Sequence, residues 1–226
     1  MISYTLKNYD KLLGALAEHL ELVGITLLIS VVLAGVVYMV LGHFPLLQKA
    51  MLLLLLVAYC IPSIALFAFL VPVLGLGKGT AVVGMTIYNL FLLLRSIQAA
   101  ENAVPANIYE AARGIGLNGI QSMRLVYLPV MLPYLISGIR IVTVSTTGIA
   151  TMAGLIHAGG LGNILFEGMR TYHMPKLIWG ILMVSGLAML LNFLFIRLEN
   201  WAVRYAQGKS SVYRKKTKTD DKILSL

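Results

Sequence analysis

The sequence predicts an all-α, polytopic integral membrane protein with about five transmembrane helices and one long hydrophilic loop between the third and fourth. Composition is the first observation behind this. Of 226 residues, 59% are apolar and only 12% charged, against about 45–50% and about 25% in a soluble domain. Mean hydropathy, at +0.86, is the second. The third is a set of uncharged runs long enough to cross a bilayer. So apolar a chain has too little polar surface to cover a core in water. A soluble globular protein, a disordered chain and a disulfide-rich module are therefore excluded. At about 20 residues per span, the length allows about four to six spans.

The spans follow in order. Residues 1–21 form a mildly polar N-terminal segment with no basic lead or short apolar core of a signal peptide. The first uncharged run is Leu22–Gly42. Ala50–Gly77 is too long for one straight span and holds Pro62 and Pro72. It reads as a helix from Ala50 to Leu70, kinked near Pro62, followed by a Gly/Pro turn. Gly79–Leu94 is the third span. The fourth lies within Pro133–Leu155, with Arg140 inside it and able to snorkel to the headgroups. A Gly-rich connection containing Gly159, Gly160 and Gly162 leads to the fifth, Leu177–Ile196. Residues 200–226 are a basic tail with Arg214, Lys215, Lys216 and Lys218.

Five spans place the termini on opposite sides. Most Lys and Arg fall on one side, at Lys49, Arg95, Arg113, Arg124, Arg140 and in the tail. The positive-inside rule makes that side cytoplasmic, with the N-terminus outside. The net charge of +9 thus reflects topology and anionic lipid, not a nucleic-acid partner. The lone cysteine, Cys60, has no disulfide partner and no neighbours at metal-ligand spacing.

The loop of residues 96–129 carries the chemistry. Pro105 suits a helix's first turn, and Asn107 with Glu110 three residues on suits a capping pair. A short helix would run to Ile115. Gly116 and Asn118 allow a sharp turn. A second short helix would run from Gly119 to Leu128, stopped by Pro129, with Ile120, Met123 and Tyr127 on its apolar face. Ala111 and Ala112 let another surface approach closely. Two short helices at an angle, tied to two spans, make a knob suited to a partner's groove and to passing on rigid-body motion.

Glu110-Ala111-Ala112, three residues, Gly116, nine residues, then Val126-Tyr127-Leu128-Pro129 resembles the signature of inner-membrane permeases of binding-protein-dependent ABC importers. Val126 stands where Ile is usual. The resemblance extends over Leu22–Glu199. Ile61-Pro62-Ser63-Ile64-Ala65-Leu66, Leu74-Gly75-Leu76-Gly77, Gly138-Ile139-Arg140 and Ala158-Gly159-Gly160-Leu161-Gly162 are similar to the osmoprotectant branch, which imports glycine betaine, carnitine, choline or proline-type solutes. Methionine permeases share the last stretch and are the alternative.

The resemblance implies a non-catalytic permease subunit in a prokaryotic plasma membrane. Its loop, with Glu110, Ala111, Ala112, Gly116, Leu128 and Pro129, would couple to a dimer of cytoplasmic ATPases. Those subunits would bind ATP and Mg, since this chain lacks a Gly-x-x-x-x-Gly-Lys-Ser/Thr phosphate loop. A second permease, identical or paralogous, and an extracellular solute-binding protein would complete the system.

Polar residues at membrane depth face protein or a water-filled path. Candidate path residues are Tyr88, Asn89, Thr143, Ser145, Thr146, Thr147 and Asn192. A membrane-embedded enzyme would need paired acids, a nucleophile with its base, or metal ligands. The spans hold no Asp or Glu, and His19, His43, His157 and His173 are far apart in the chain.

Overall fold

The computed structural model describes residues 2–42, 44–114 and 116–206, all helices and short connections. The helices are α1 (Ile2–Leu41), α2 (Pro45–Cys60), α3 (Ser63–Leu74), α4 (Lys78–Asn102), α5 (Ala106–Gly114), α6 (Gly119–Ser122), α7 (Leu128–Met152), α8 (Leu161–Arg170) and α9 (Met174–Ala206). A π turn, Met123–Tyr127, joins α6 to α7, and a 3-10 turn, Ala153–Ile156, follows α7. Four helices among the described residues are long and apolar enough to cross a membrane, or five if α2 and α3, bent by 101° at their break, are counted as one span. The basic cluster of the tail lies outside the described residues.

α1 starts well before the uncharged run. Its backbone departs from helical angles only at Asn8, whose side-chain amide donates to the Tyr4 carbonyl at 3.0 Å. Charged residues at 10, 11, 18 and 21 do not interrupt it, because a helix that leaves lipid keeps its own backbone bonds. Its buried stripe runs through Leu12, His19, Leu22, Val23, Thr26, Ser30, Ala34 and Leu41, the spacing of one helix face. Leu28, Val32, Val36 and Met39 on the other face are exposed. The apolar side is outward, as lipid requires, and small polar side chains point inward.

The second span breaks instead of kinking. α2 ends at Ile61, whose backbone is extended, and Pro62 opens α3. At 1.5 Å per residue the two pieces are about 24 and 18 Å long, each short of a bilayer core. α3 runs through Pro72 to Leu74, beyond the expected end at Leu70, and stops at Gly75 with φ +81°. Pro129 likewise does not end a helix: the chain passes through it into α7, because the preceding π turn has already shifted the bonding register.

The described residues form two compact units, one within 2–95 and 139–193, the other within 96–138 and 194–206. In the first, Leu22, Val23, Phe67, Ala81, Met85, Ala150, Ala153, Ile156 and Ala158 make the core. In the second, Ala100, Val104 and Met131 are buried under Ile108, Tyr109, Tyr127, Val130 and Leu135.

Candidate functional site

The elbow between the spans is built by two local stop signals. α5 ends where Leu117 N–H donates to the Ala112 carbonyl at 3.2 Å and Gly116 N–H to the Arg113 carbonyl at 3.0 Å. This is a Schellman closure, with Gly116 at φ +76° in the left-handed region that glycine alone enters freely. α6 starts at a reciprocal cap. Asn118 accepts from Gln121 N–H at 2.9 Å, and the Gln121 side chain accepts from Asn118 N–H at 3.0 Å.

The capping pair read from Asn107 and Glu110 belongs to the start of α5, whereas the reciprocal cap of Asn118 and Gln121 opens α6. Asn107 lies inside the first turn of α5, not ahead of it, and Glu110 is exposed further along. The Asn-x-x-Gln spacing was readable in the sequence as a helix start.

Ala112 is buried and Ala111 precedes it on the same helix. The tip of the elbow is apolar and open. Ile120 is 81% exposed, and Met123, Leu125 and Leu128 are exposed beside it. Pro129 is half-buried. The rings of Tyr109 and Tyr127 meet with centroids 4.4 Å apart at 43°. Burial, then the Glu101 carboxylate and the Tyr127 phenol, raises the Tyr109 phenol above its ordinary value, so it stays neutral.

The expected path residues are drawn together in the first unit but mostly turned inward. Tyr88, Asn89, Thr143, Thr146 and Thr147 are all buried within the chain. Asn89 joins three helices: its amide donates to Ser30 Oγ at 3.2 Å, and its carbonyl oxygen accepts from Thr146 Oγ1 at 2.9 Å. Thr143 and Thr147 return their hydroxyls to carbonyls one turn back, those of Ile139 and Thr143, each at 2.8 Å. Tyr88 donates to the Ile61 carbonyl, and its ring meets Tyr59 edge-on, which in turn leans on Phe91. All five side chains are packed within this chain. Ser145 and Asn192 are half-buried. Asn192 accepts from Arg140 Nη1 at 3.4 Å, so Arg140 reaches across to α9 as well as lying within a span.

A glycine-rich junction, which sequence reading left as an outer connection, proves to be a clasp. Glu18 accepts from Gly160 N–H at 2.8 Å. His19 is fully buried, its Nε2 3.2 Å from the Thr147 carbonyl. Lys78 pairs with Glu21 at 2.8 Å. The clasp ties α1 to α8 and to the start of α4. No three His, Cys, Asp or Glu side chains gather at metal-binding distance among the described residues.

This architecture has known counterparts. Residues 26–205 match the family model of the binding-protein-dependent transport system inner membrane component. The glycine betaine/carnitine/choline transport system permease protein OpuCB of Bacillus subtilis is 30% identical over 199 residues, 88% of this chain and 92% of that protein. The osmoprotectant import permease protein OsmW of Salmonella typhimurium is 34% identical over 210 residues, 88% of this chain and 94% of that one. Among solved structures, an inward-facing MetNI methionine ABC transporter chain shares the fold. Its TM-score is 0.74 at 23% identity, covering 84% of this chain and 94% of that one. A broken span, an exposed elbow between spans and a match across most of the length agree: the chain belongs to the binding-protein-dependent transport system inner membrane components, as a membrane-spanning permease subunit of an ABC importer.

Proposed function

We propose that this permease admits a small compatible solute of the glycine betaine, carnitine, choline or proline type, and that its elbow receives the thrust of a separate ATPase. The observation that carries the coupling role is the elbow tip: Ile120, Met123 and Leu125 are exposed on a rigidly capped turn between two spans. Apolar side chains held out of a structured loop suit a partner's groove. The solute class rests on the relatives that cover nearly all of this chain, whose names give glycine betaine, carnitine and choline.

In this reading two cytoplasmic ATPase subunits bind ATP and Mg, close on nucleotide and move two elbows. Two permease chains, identical or paralogous, enclose the path. A binding protein outside delivers the solute. The N-terminus is outside and the tail inside, by the distribution of Lys and Arg. Path lining falls to surfaces open on the single chain, among them the half-buried Ser145 and the exposed Gly148 of α7.

The test is reconstitution with a partner ATPase and a solute-binding protein. Labelled glycine betaine, carnitine, choline, proline and methionine are offered in turn. ATP-dependent uptake of one of the first four is expected. Methionine uptake alone would replace the solute assignment, and failure of any ATPase to co-purify would end the coupling role.

A further inference from the structure

We infer that Tyr109 and Tyr127 are positioning residues for transport: their ring pair stiffens an otherwise soft π-turn joint, so that motion of the elbow is delivered to α7. This rests on the elbow being the ATPase dock. The inference comes from where the helical ladder is weak. α5 and α6 are each closed by their own stop signals, so neither yields easily. Between α6 and α7 the chain instead takes a π turn, with Leu128 N–H donating to the Met123 carbonyl. The residues Met123-Arg124-Leu125-Val126-Tyr127 contain no helix breaker. The π turn comes just before Pro129, whose ring in an ordinary α-turn would meet the Leu125 carbonyl, and π turns concentrate at functional sites. Pro129 follows at once and has no N–H to give, so one more backbone bond is missing where the elbow meets the span.

A joint with that backbone would bend under load and dissipate the thrust. The ring pair spans it. Tyr127 is the last residue of the π turn and Tyr109 sits on α5, with ring centroids 4.4 Å apart. Both rings lie over Ala100, Val104 and Met131, which come from the end of α4, the link after it and the first turn of α7. α5, the π turn and α7 therefore share one apolar clamp.

The test uses the assembled transporter with its ATPase and binding protein. Variants are Tyr109→Leu, Tyr127→Leu, both together, and Tyr109→Phe with Tyr127→Phe as ring-preserving controls. Leucine keeps the site apolar, so folding and insertion are spared. Co-purified ATPase and ATP turnover are expected to stay at wild-type level. Uptake of labelled glycine betaine, carnitine and choline per ATP should fall about fivefold or more in the leucine variants, the scale of one lost aromatic pair. The double variant should be no worse than either single. The phenylalanine variants should match wild type.

A second readout needs no solute. Spin labels at Gly119→Cys and Tyr134→Cys, in a Cys60→Ser background, should hold one distance when ATP is added to the wild-type transporter, and shift in Tyr127→Leu. Unchanged uptake per ATP with an unchanged label distance in Tyr127→Leu would overturn the inference. Equal loss in the phenylalanine variants would do the same. So would loss of the ATPase from the leucine variants, since the rings would then shape the dock and not the joint. Absence of any ATPase from the wild-type complex would instead strike the docking reading itself.

Discussion

The hydroxyl of Tyr88 donates to the carbonyl of Ile61 at 2.6 Å, at the point where the second span breaks. Ile61 closes α2 with an extended backbone, so its carbonyl has left the helical ladder. At membrane depth such a group has no water to turn to. Tyr88 supplies the missing donor from α4, and Tyr59 packs edge-on against the same ring. Tyr88→Phe keeps the ring and deletes only the donor. It should destabilise the chain by about 1–3 kcal/mol, the cost of an unmade bond to a buried polar group. Thermal unfolding in detergent measures this, and a melting temperature equal to wild type would deny Tyr88 its role at the break.

Gly116 closes α5 at φ +76°, with open space where a Cβ would stand. Strain, not collision, is therefore the cost of substitution. Gly116→Ala should lose about 1 kcal/mol and Gly116→Asn less, since Asn tolerates the left-handed region. Gly116→Val, branched at Cβ, should redirect the elbow: ATP hydrolysis persists while uptake falls, with insertion intact. Paired uptake and ATPase assays on the three variants should give that order. Uptake by Gly116→Val at wild-type level would remove the turn from the coupling path.

Gly154 and Gly162 let the 3-10 turn and α8 touch backbone to backbone. A Cβ on Gly154 would lie 2.5 Å from the Gly162 carbonyl carbon, and one on Gly162 would strike the Thr151 carbonyl oxygen. Backbone cannot rotate away as a side chain can. Gly154→Ala and Gly162→Ala should therefore each cost about 1–3 kcal/mol, the range of overpacking. Gly14→Ala, with nothing within 4 Å, is the control and should gain about 0.5–1 kcal/mol in helix propensity. Expression level and thermal melting of the three proteins separate these cases, and equal stability of all three would contradict the close approach.

Much of the fold was legible because lipid makes a simple demand: an uncharged run of sufficient length must be a helix. The spans at 79–94 and 177–196 sit inside α4 and α9 for that reason. What lipid does not dictate was harder to read. Nothing in residues 1–21 announces that α1 continues through them, because the clasp of Glu18 and His19 onto Gly160 and Thr147 joins residues far apart in sequence. Pro62 promised a bend but neither its 101° size nor the Tyr88 hydroxyl of α4 that donates to the Ile61 carbonyl.

The elbow itself was visible as Gly116, Asn118 and Pro129, yet local rules misassigned two of its details. Asn107 has the spacing of a cap but lies inside α5, and Pro129 has the place of a stop but the helix continues past it after a π turn. Buried threonines have two readings in sequence, packing or path, and sequence spacing names none of their neighbours in space, such as Asn89 beside Thr146.

Ile120 offers the sharpest test of the elbow as a docking element. It stands 81% exposed on α6, whose start is fixed by the Asn118–Gln121 cap. An apolar side chain already rigidly placed loses little freedom on binding, so its burial is realised almost in full. Ile120→Ala should weaken ATPase association about tenfold or more, the effect of removing an interface anchor. Ile120→Asp should abolish co-purification, because a carboxylate would enter an apolar groove unpaired. Asn118→Ala removes the cap at about 1 kcal/mol and should weaken association by a smaller factor, about fivefold, through loss of preorganisation. All three changes lie ahead of α7, so insertion of the isolated permease should stay near wild type. Pull-down of the ATPase at graded concentration gives the ranking. An ATPase that binds Ile120→Asp as tightly as wild type would place the dock on another face of the chain.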